Sequence, residues 1–299
     1  MSIRGRLSSF YHSQNEALDV EEIHVALPGL HTPLAGSRAA VLADLHMPRL
    51  KPYHYRIHDA VKQAKPDFIL IAGDTMDSRT RNVPELAPFF AHIARIAPCV
   101  AILGNNDCHR RRTPQLRALY EQAGIVLLEN ETRMLALRQS AIRITGLTDP
   151  HAFRLGVHRE RPMANPTRVS MREALQPGRD REDKGIPTIL LMHQPQIAGQ
   201  YAELTPSLIV AGHAHGGQFR LPSMGGLYSP GQGLFPRYTS GLYEIEGSRL
   251  VVSRGLGTHD FPLRINNRPH IPVVVLEGEE TGAFSTHLLW SHTSDPPTR

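Results

Sequence analysis

Short apolar runs alternate with helical patterns through the first two thirds of the chain. The runs rich in branched residues, each ending in a polar motif, predict buried strands at residues 38–43, 68–72 and 100–103. Apolar residues at helical spacing between and after these runs predict helices at residues 53–65, 83–97 and 113–123. This alternation is typical of a layered α/β domain.

The pattern changes after Gly124 to closely spaced strands. The apolar runs of this part predict strands at residues 125–130, 133–138, 141–147, 188–192 and 208–211. Only Gln139 and Ser140 separate the second of these strands from the third, which indicates a hairpin. Further apolar runs in the C-terminal third favour a second, antiparallel sheet.

Two segments lack the periodicity of the rest. Residues 149–183 contain many Arg and few regularly spaced apolar residues, and we interpret them as a lid or an insertion. Residues 294–299 predict a flexible tail, since Pro296 and Pro297 are unsuited to packed structure. The length of 299 residues fits one large domain or two small ones, and residues 1–299 are interpreted as a single domain.

Metal-competent side chains follow five of the predicted strands. They are Asp44, His46, Asp74, Asn105, His193, His213 and His215. Open α/β folds bind ligands at the carboxyl edge of the sheet, so we expect these side chains to converge. Asp44 and His46 are two positions apart, as are His213 and His215, so each pair can face one ion.

The mixture of ligand types indicates a class of metal. Carboxylate and amide oxygens combined with imidazole nitrogens suit Mn²⁺, Fe²⁺, Fe³⁺ or Zn²⁺ better than Ca²⁺. Each motif by itself can occur by chance in a chain with 17 His, and their ordered recurrence is what distinguishes them. The sequence therefore predicts two adjacent transition-metal sites.

The composition limits the remaining classes of function. Lys and Arg outnumber Asp and Glu 33 to 28, and this net charge of +5 permits anionic substrates or an acidic membrane surface. A nucleic-acid partner is not favoured, because no Lys/Arg stripe or aromatic stacking platform stands out. Two Cys and the lack of about 18 consecutive apolar residues predict a cytoplasmic protein, for which peripheral membrane contact stays open.

The ordered motifs carry a family resemblance. D-x-H, G-D-x-x-D, G-N-x-D, H and G-H-x-H, in this order from Asp44 to His215, resemble the calcineurin-like metallophosphoesterases. The resemblance implies a four-layer αββα sandwich with two central mixed β-sheets. The ligand sets that it implies are Asp44, His46 and His215 for the first ion and Asn105, His193 and His213 for the second. Asp74 would bridge both ions, and Asp77 would orient a ligand or a neighbouring loop.

The C-terminal third resembles a bacterial subgroup of that family. Its motifs G-H-A-H-G-G-Q-F-R-L-P, G-L-F-P-R-Y-T-S-G-L-Y and R-G-L-G with F-P-L-R-I-N-N-R-P are similar to those of YkuE-like and YaeI-like phosphodiesterases and of UDP-2,3-diacylglucosamine pyrophosphatases. The resemblance implies a phosphate-containing small molecule or a lipid-linked nucleotide as substrate. The apolar segment 224–243 either lines an amphipathic pocket or packs on a sheet.

The expected reaction is hydrolysis of a phosphodiester or pyrophosphate bond by a metal-activated hydroxide. Where the family motif is G-N-H-[DE], this chain has Asn106, whose amide can hydrogen-bond a phosphoryl oxygen but cannot donate a proton and become a base. We therefore expect leaving groups that are stable as anions. The predicted catalytic residues are Asp74, Asn106, Asp107 and His109. Arg110 and Arg112 are predicted either to hold the phosphate or to lie on the surface.

Several alternatives stay open at this point. His109, His151 or His259 could supply the missing acid. A nuclease and a cyclic-nucleotide phosphodiesterase are the rival enzymatic functions. A catalytically silent, metal-binding regulatory module is a different class, which only Asn106 favours. The sequence predicts no particular oligomeric state.

Overall fold

The computed structural model describes residues 3–155, 186–202, 205–258 and 262–278. The predicted lid, from residue 156 onward, and the predicted tail at 294–299 lie outside these ranges. The helices within them are α1 (Ile3–Asn15), α2 (Pro52–Ala64), α3 (Ala87–Ala94), α4 (Thr113–Gln122), α5 (Pro150–Leu155) and α6 (Gly199–Ala202). Four 3₁₀ helices, described in the same ranges, are Thr32–Leu34, Val83–Leu86, Pro195–Ile197 and His215–Gly217.

The strands are numbered in chain order. They are β1 (Asp19–Leu27), β2 (Arg38–Leu42), β3 (Phe68–Ala72), β4 (Cys99–Ile102), β5 (Val126–Leu127), β6 (Glu131–Leu137), β7 (Ser140–Gly146), β8 (Thr188–Leu191), β9 (Leu208–Ala211), β10 (Arg220–Leu221), β11 (Gly225–Gly226), β12 (Tyr228–Ser229), β13 (Gly233–Leu234), β14 (Gly241–Ile245), β15 (Ser248–Val252) and β16 (His270–Gly278). The strands predicted between residues 38 and 211 are all present, with ends that differ by at most a few residues.

The strands form two six-stranded mixed sheets. The first has the order β1-β16-β2-β3-β4-β5, in which β2 to β5 are parallel. The second has the order β14-β15-β9-β8-β7-β6, in which β15, β9, β8 and β7 are parallel. Two short antiparallel ribbons, β10-β11 and β12-β13, lie outside the large sheets.

Two sequence-based expectations were wrong in detail. The C-terminal third does not build a separate antiparallel sheet, because β16 inserts into the first sheet between β1 and β2. Its continuous apolar run is typical of a strand that is buried on both faces. The helix predicted at 83–97 is divided into the 3₁₀ helix Val83–Leu86 and α3, since Pro84 and Pro88 each lack the amide donor of a continuing helix.

The two sheets pack face to face between outer helical layers. The central core contains side chains of both sheets, such as Val41 and Ile144. On the other face of the first sheet, α2, α3 and α4 contribute side chains such as Phe90 to a second core. A third core, which includes Tyr201 of α6, lies on the outer face of the second sheet. This arrangement confirms the predicted αββα sandwich.

The parallel strands direct the predicted ligand loops to one edge of the sandwich. Backbone hydrogen bonds tie neighbouring loops together, from Asp44 N to Gly73 O at 3.0 Å and from His46 N to Asp74 O at 3.0 Å. In the second sheet, Gly212 N donates to His193 O at 3.1 Å. Loops that are distant in sequence are therefore adjacent where the strands end.

None of the helices in the described ranges has the length and apolarity needed to cross a bilayer.

His54 makes the stability of α2 dependent on pH. The backbone N–H of Lys51 donates to His54 Nδ1 at 2.8 Å, which requires a neutral imidazole. Burial and the nearby Lys51 lower the pKa of His54 to about 4. Because this folded-state pKa lies below the ordinary value of 6.5, the unfolded chain takes up a proton that the folded chain excludes as the pH falls.

We therefore expect stability to fall between pH 6.5 and 4, with a contribution from His54 of up to about 1.4 kcal/mol per pH unit. His54→Gln keeps an acceptor for the Lys51 amide at the third helical position but does not titrate. Urea unfolding of both proteins at several pH values would measure the two slopes. Equal slopes would contradict the role of His54.

Candidate metal centre

The first cluster of ligand atoms joins loops from both sheets. Asp44 and His46 follow β2, and His215 follows β9. One ligand atom from each lies within 4.8 Å of the others, and all three residues are buried. The Nε2 atoms of His46 and His215 are 3.0 Å apart, and Asp44 Oδ1 lies 3.8 Å from His215 Nε2. An oxygen and two nitrogens thus converge on one point.

The second cluster consists of Asp74 after β3, His193 after β8 and His213 after β9. Its ligand atoms are also buried and within 4.8 Å of one another. Asp74 Oδ2 lies 3.2 Å from His193 Nε2, and His213 Nδ1 lies 3.3 Å from the same nitrogen. His193 Nδ1 donates to Ala72 O at 2.8 Å, which fixes the ring so that Nε2 faces the cluster.

The two clusters are adjacent, with Asp74 between them. Its Oδ2 atom, which contacts His193, is also 3.7 Å from His46 Nε2 in the first cluster. Asp44 Oδ1 is in turn 4.0 Å from His193 Nε2. The position of Asp74 is therefore the one that a bridging carboxylate requires.

Asn105 provides an oxygen that has no protein donor. Its Oδ1 atom is buried and has no hydrogen-bond partner among the described residues. Buried polar atoms are nearly always paired, so such an atom needs an explanation. An amide oxygen is a ligand for hard and borderline cations, and an ion beside the second cluster would satisfy it.

Five of the ligand residues have left-handed backbone conformations. The φ angles are 50° for Asp44, 42° for His46, 54° for Asp74, 65° for His213 and 47° for His215. Each such conformation costs about 1–3 kcal/mol in a residue other than glycine, and such residues cluster at functional sites. The left-handed turns bring the side chains back toward the end of the sheet.

The first position of the G-N motif requires glycine for steric reasons. A Cβ atom at Gly104 would overlap the carboxylate of Asp74. Only glycine therefore allows the loop after β4 to approach Asp74 this closely.

The clusters concentrate charged groups that burial disfavours. Burial would lower the pKa of His193, but Asp74 and Asp44 raise it to about 10. Burial, together with the negative charge of Asp74, raises the pKa of Asp44 to about 7 against the opposing effect of His193. Two buried carboxylates thus require positive charge nearby, which bound cations would supply while displacing the protons.

Comparison with known proteins agrees with this geometry. The family model described as calcineurin-like phosphoesterase matches residues 37–217, which is more than half of the chain and includes both clusters. The chain belongs to the calcineurin-like phosphoesterases. As a member it is a metallophosphoesterase, a hydrolase of phosphoester bonds.

Two bacterial relatives of this phosphoesterase extend the likeness beyond the matched family domain. It is 29% identical over 220 residues to YkuE of Bacillus subtilis (strain 168), an uncharacterized metallophosphoesterase, and the alignment covers 73% of this chain and 70% of YkuE. It is 27% identical over 241 residues to the phosphodiesterase YaeI of Escherichia coli (strain K12), covering 79% and 80% of the two chains.

Among solved structures, phosphopantetheinyl hydrolase from Mycobacterium tuberculosis is similar with a TM-score of 0.45 and 14% identity, over 75% of this chain and 91% of the hydrolase.

Asn106 contacts Asp74 in this phosphoesterase. Its backbone N–H donates to Asp74 Oδ1 at 2.8 Å, and its side-chain Nδ2 donates to Asp74 Oδ2 at 2.7 Å. Burial raises the pKa of Asp74, but His193, His46 and Asn106 together hold it below the ordinary range. Asn106 therefore orients and keeps ionised the carboxylate between the clusters, a contact that the sequence pattern did not predict.

Asp107, which the sequence assigns to catalysis, faces the backbone of the neighbouring loops. It is fully buried and accepts hydrogen bonds from Thr75 N at 3.2 Å, Met76 N at 2.8 Å and Gly104 N at 3.0 Å. Burial, together with the charge of Asp74, raises its pKa to about 7. These contacts hold the loops that carry Asp74 and Asn105.

Asp77 and Arg112 hold the loop after β3. The Asp77 carboxylate accepts hydrogen bonds from Arg79. The Thr80 hydroxyl accepts a hydrogen bond from Asp77 N and donates one to Met47 O at 2.8 Å. The Arg112 guanidinium donates to Asp77 O at 2.7 Å and to Thr80 O at 2.6 Å. Asp77 thus orients the segment next to His46, and Arg112 contacts carbonyls of this loop.

The remaining predicted residues are not among the ligand atoms that the two clusters bring together. Arg110 is exposed. Partial burial, Arg112 and Arg111 lower the pKa of His109, so its imidazole carries a proton less often than an ordinary histidine. His151 lies in α5, where its backbone N–H donates to Asp149 Oδ1 at 2.8 Å. His259 lies outside the described residues.

Two further residues near the first cluster have no assigned role in the sequence pattern. Arg264 and Asn267 belong to the motif F-P-L-R-I-N-N-R-P, and both are buried. A buried arginine is rare in proteins, but burial is not visible in a sequence. The only available signal was the likeness of this motif to the bacterial subgroup.

Proposed function

We propose that this phosphoesterase hydrolyses a phosphodiester or pyrophosphate bond with two transition-metal ions. The supporting observation is the position of Asp74 Oδ2, 3.2 Å from His193 Nε2 and 3.7 Å from His46 Nε2. One carboxylate can thus contact ions in both clusters. When bound, a pair of Mn, Fe or Zn ions supplies Lewis-acid stabilisation of the phosphoryl oxygens and lowers the pKa of water.

The proposed ligand sets follow the clusters. They are Asp44, His46 and His215 for the first ion and Asn105, His193 and His213 for the second, with Asp74 shared. Ala72 O orients His193, and the His213 N–H donates to both carboxylate oxygens of Asp44 at 3.0 Å. These hydrogen bonds hold the ligands in position before substrate arrives.

The leaving group is proposed to depart as a stable anion. Asn106 cannot donate a proton, and the lowered pKa of His109 leaves a smaller fraction of its imidazole protonated, and so able to donate a proton, at neutral pH. Arg110, which is exposed and follows the Asn105 motif in the chain, is proposed to contact the phosphate. Pyrophosphate-linked nucleotides and aryl phosphates fit these conditions better than alkyl diesters do.

A lipid-linked nucleotide is the proposed substrate class. The apolar rim consists of side chains that are between 41% and 68% exposed: Leu221, Met224, Tyr228, Leu234 and Phe235. It is connected to the loop of His215, because Leu227 N donates to Gly217 O at 3.1 Å. We propose that acyl chains contact this rim while the phosphates reach the metals, with peripheral membrane contact as a consequence.

The reaction is tested with metal-stripped protein that is reloaded with Mn²⁺, Fe²⁺ or Zn²⁺. We expect turnover of bis-p-nitrophenyl phosphate and of nucleotide pyrophosphates, and little cleavage of DNA, RNA or alkyl diesters. Asp74→Asn protein prepared in the same way controls for contaminants. Preferential cleavage of nucleic acids or cyclic nucleotides would favour the rival enzymes, and no turnover with any metal would favour a silent metal-binding module.

The lipid contact has its own test. Leu234→Ser should raise the KM for an acylated nucleotide pyrophosphate by about 10-fold, given the free energy of burying a leucine side chain. The same variant should leave turnover of bis-p-nitrophenyl phosphate unchanged. Met134→Ser is a matched control, since Met134 is 49% exposed on β6. Equal KM values for wild type and Leu234→Ser would exclude the apolar rim as the acyl contact.

A further inference from the structure

Arg264 is a fully buried arginine whose hydrogen bonds go to backbone carbonyls. Its guanidinium donates to Arg254 O at 2.8 Å, Gly257 O at 2.6 Å and Asn267 O at 3.4 Å. Its own backbone N–H donates to Asn15 Oδ1 of α1 at 2.9 Å. Removing a guanidinium from water costs free energy. The hydrogen bonds from Arg264 to backbone carbonyls therefore indicate that the conformation of the loop that carries these carbonyls is important.

The loop that Arg264 holds forms the wall behind Asp44. Gly257 N donates to Asp44 O at 2.6 Å, and Leu256 N donates to Ala43 O at 3.0 Å. At Gly255, where φ is +71°, an added Cβ would lie 2.7 Å from the Asp44 Cβ. The backbone of this loop therefore determines where Asp44 sits.

Asn267 holds the turn that carries His215. Its Nδ2 donates to His215 O at 2.7 Å and to Gln218 O at 3.0 Å, and the residue is 1% exposed. An added Cβ at Gly216, where φ is +62°, would overlap the Asn267 side chain. Asn267 thus contacts the first and the last of the four left-handed residues of this turn.

The two residues whose loops are held in this way belong to the first cluster, and both have a strained backbone. Asp44 and His215 each have positive φ angles, which persist only where the surrounding structure holds them. The second cluster is held by other groups, with His193 fixed by Ala72 O and Asp74 fixed by Asn106. Arg264 and Asn267 therefore contact loops of the first cluster directly, whereas they reach the second cluster only through the hydrogen bonds from His213 N to Asp44.

We propose that Arg264 and Asn267 are positioning residues that prepare the first cluster, Asp44, His46 and His215, to bind its ion. The inference rests on the proposed function, since it concerns one of the two proposed ion sites. Neither side chain is a proposed ligand. They act through the backbone of the two ligand loops, and their loss weakens the first site more than the second.

The test measures Mn²⁺ binding to purified full-length chains by equilibrium dialysis with elemental analysis. Wild type should bind two ions per chain. Asn267→Ser and Arg264→Lys should retain the ion of the second cluster and bind the other about 10–100-fold more weakly, as expected for groups that orient ligands. Electron paramagnetic resonance should show the coupled Mn²⁺ pair of wild type replaced by an uncoupled single ion.

The matched control is Arg268→Ala, because Arg268 is the exposed neighbour of Asn267. It should keep both ions and the coupled spectrum. Two ions bound to both Asn267→Ser and Arg264→Lys with wild-type affinity would overturn the proposal, even if their melting temperatures fell. Arg264→Lys keeps the charge and supports folding, while its single ammonium cannot reproduce the guanidinium bonds.

The two proposals fail differently. Wild type that binds two Mn²⁺ ions but hydrolyses no phosphate ester would contradict the proposed function and leave the positioning role intact. Wild type that binds fewer than two ions would overturn both.

Discussion

Asp74→Asn is expected to abolish metal-dependent turnover. The substitution keeps the shape of the side chain but removes its charge and one of the two oxygens that accept from Asn106. Loss of a group that only orients a ligand lowers metal affinity or activity by about 10–100-fold. Loss of a ligand that both ions share should lower them further. We therefore expect a fall in kcat of more than about 100-fold on bis-p-nitrophenyl phosphate.

Metal content separates this effect from damage to the fold. The variant should bind fewer than two Mn²⁺ ions per chain, while its circular dichroism stays that of wild type. Asp59→Asn is the matched control, since the Asp59 side chain is 67% exposed and lies 3.0 Å from the ring of the neighbouring His58. Turnover retained by Asp74→Asn would show that the activity belongs to a different centre or to a contaminant.

The Asn106→His variant is expected to broaden the range of leaving groups. A histidine at this position can protonate an alkoxide, and general acid catalysis contributes about 10²–10⁴-fold. Turnover of alkyl diesters should therefore rise by about 100-fold relative to aryl diesters. A new limb near the histidine pKa should appear in the pH profile for alkyl substrates.

The contact between Asn106 and Asp74 calls for a second variant. Asn106→Ala removes the 2.7 Å bond to Asp74 Oδ2 without adding an acid. If Asn106→His acts through proton donation, Asn106→Ala will slow all substrates alike and leave the ratio of alkyl to aryl turnover unchanged. An unchanged ratio in Asn106→His would instead contradict the proposed role of this position in leaving-group choice.

The sequence by itself determined the strands and the candidate ligands that follow them. The run at Phe68–Ala72 matches β3 residue for residue, because a short branched run is a strand wherever both faces are buried. Asp44, Asp74 and His193 were identifiable because parallel strands end at a common edge, so the order of motifs along the chain implies their proximity in space. The close contacts that exclude a Cβ atom at Gly73 and Gly104, by contrast, appeared only in the structure.

Tertiary structure alone decided how these ligands are held. The insertion of β16 between β1 and β2 depends on pairing across more than 200 residues, which leaves no local periodicity. Arg264, Asn267 and Arg112 donate hydrogen bonds to backbone carbonyls. Because every residue has a backbone carbonyl, the sequence does not show which carbonyls accept these bonds. The chemistry of the site was therefore visible in side-chain identity, whereas its positioning appeared only once the loops were folded together.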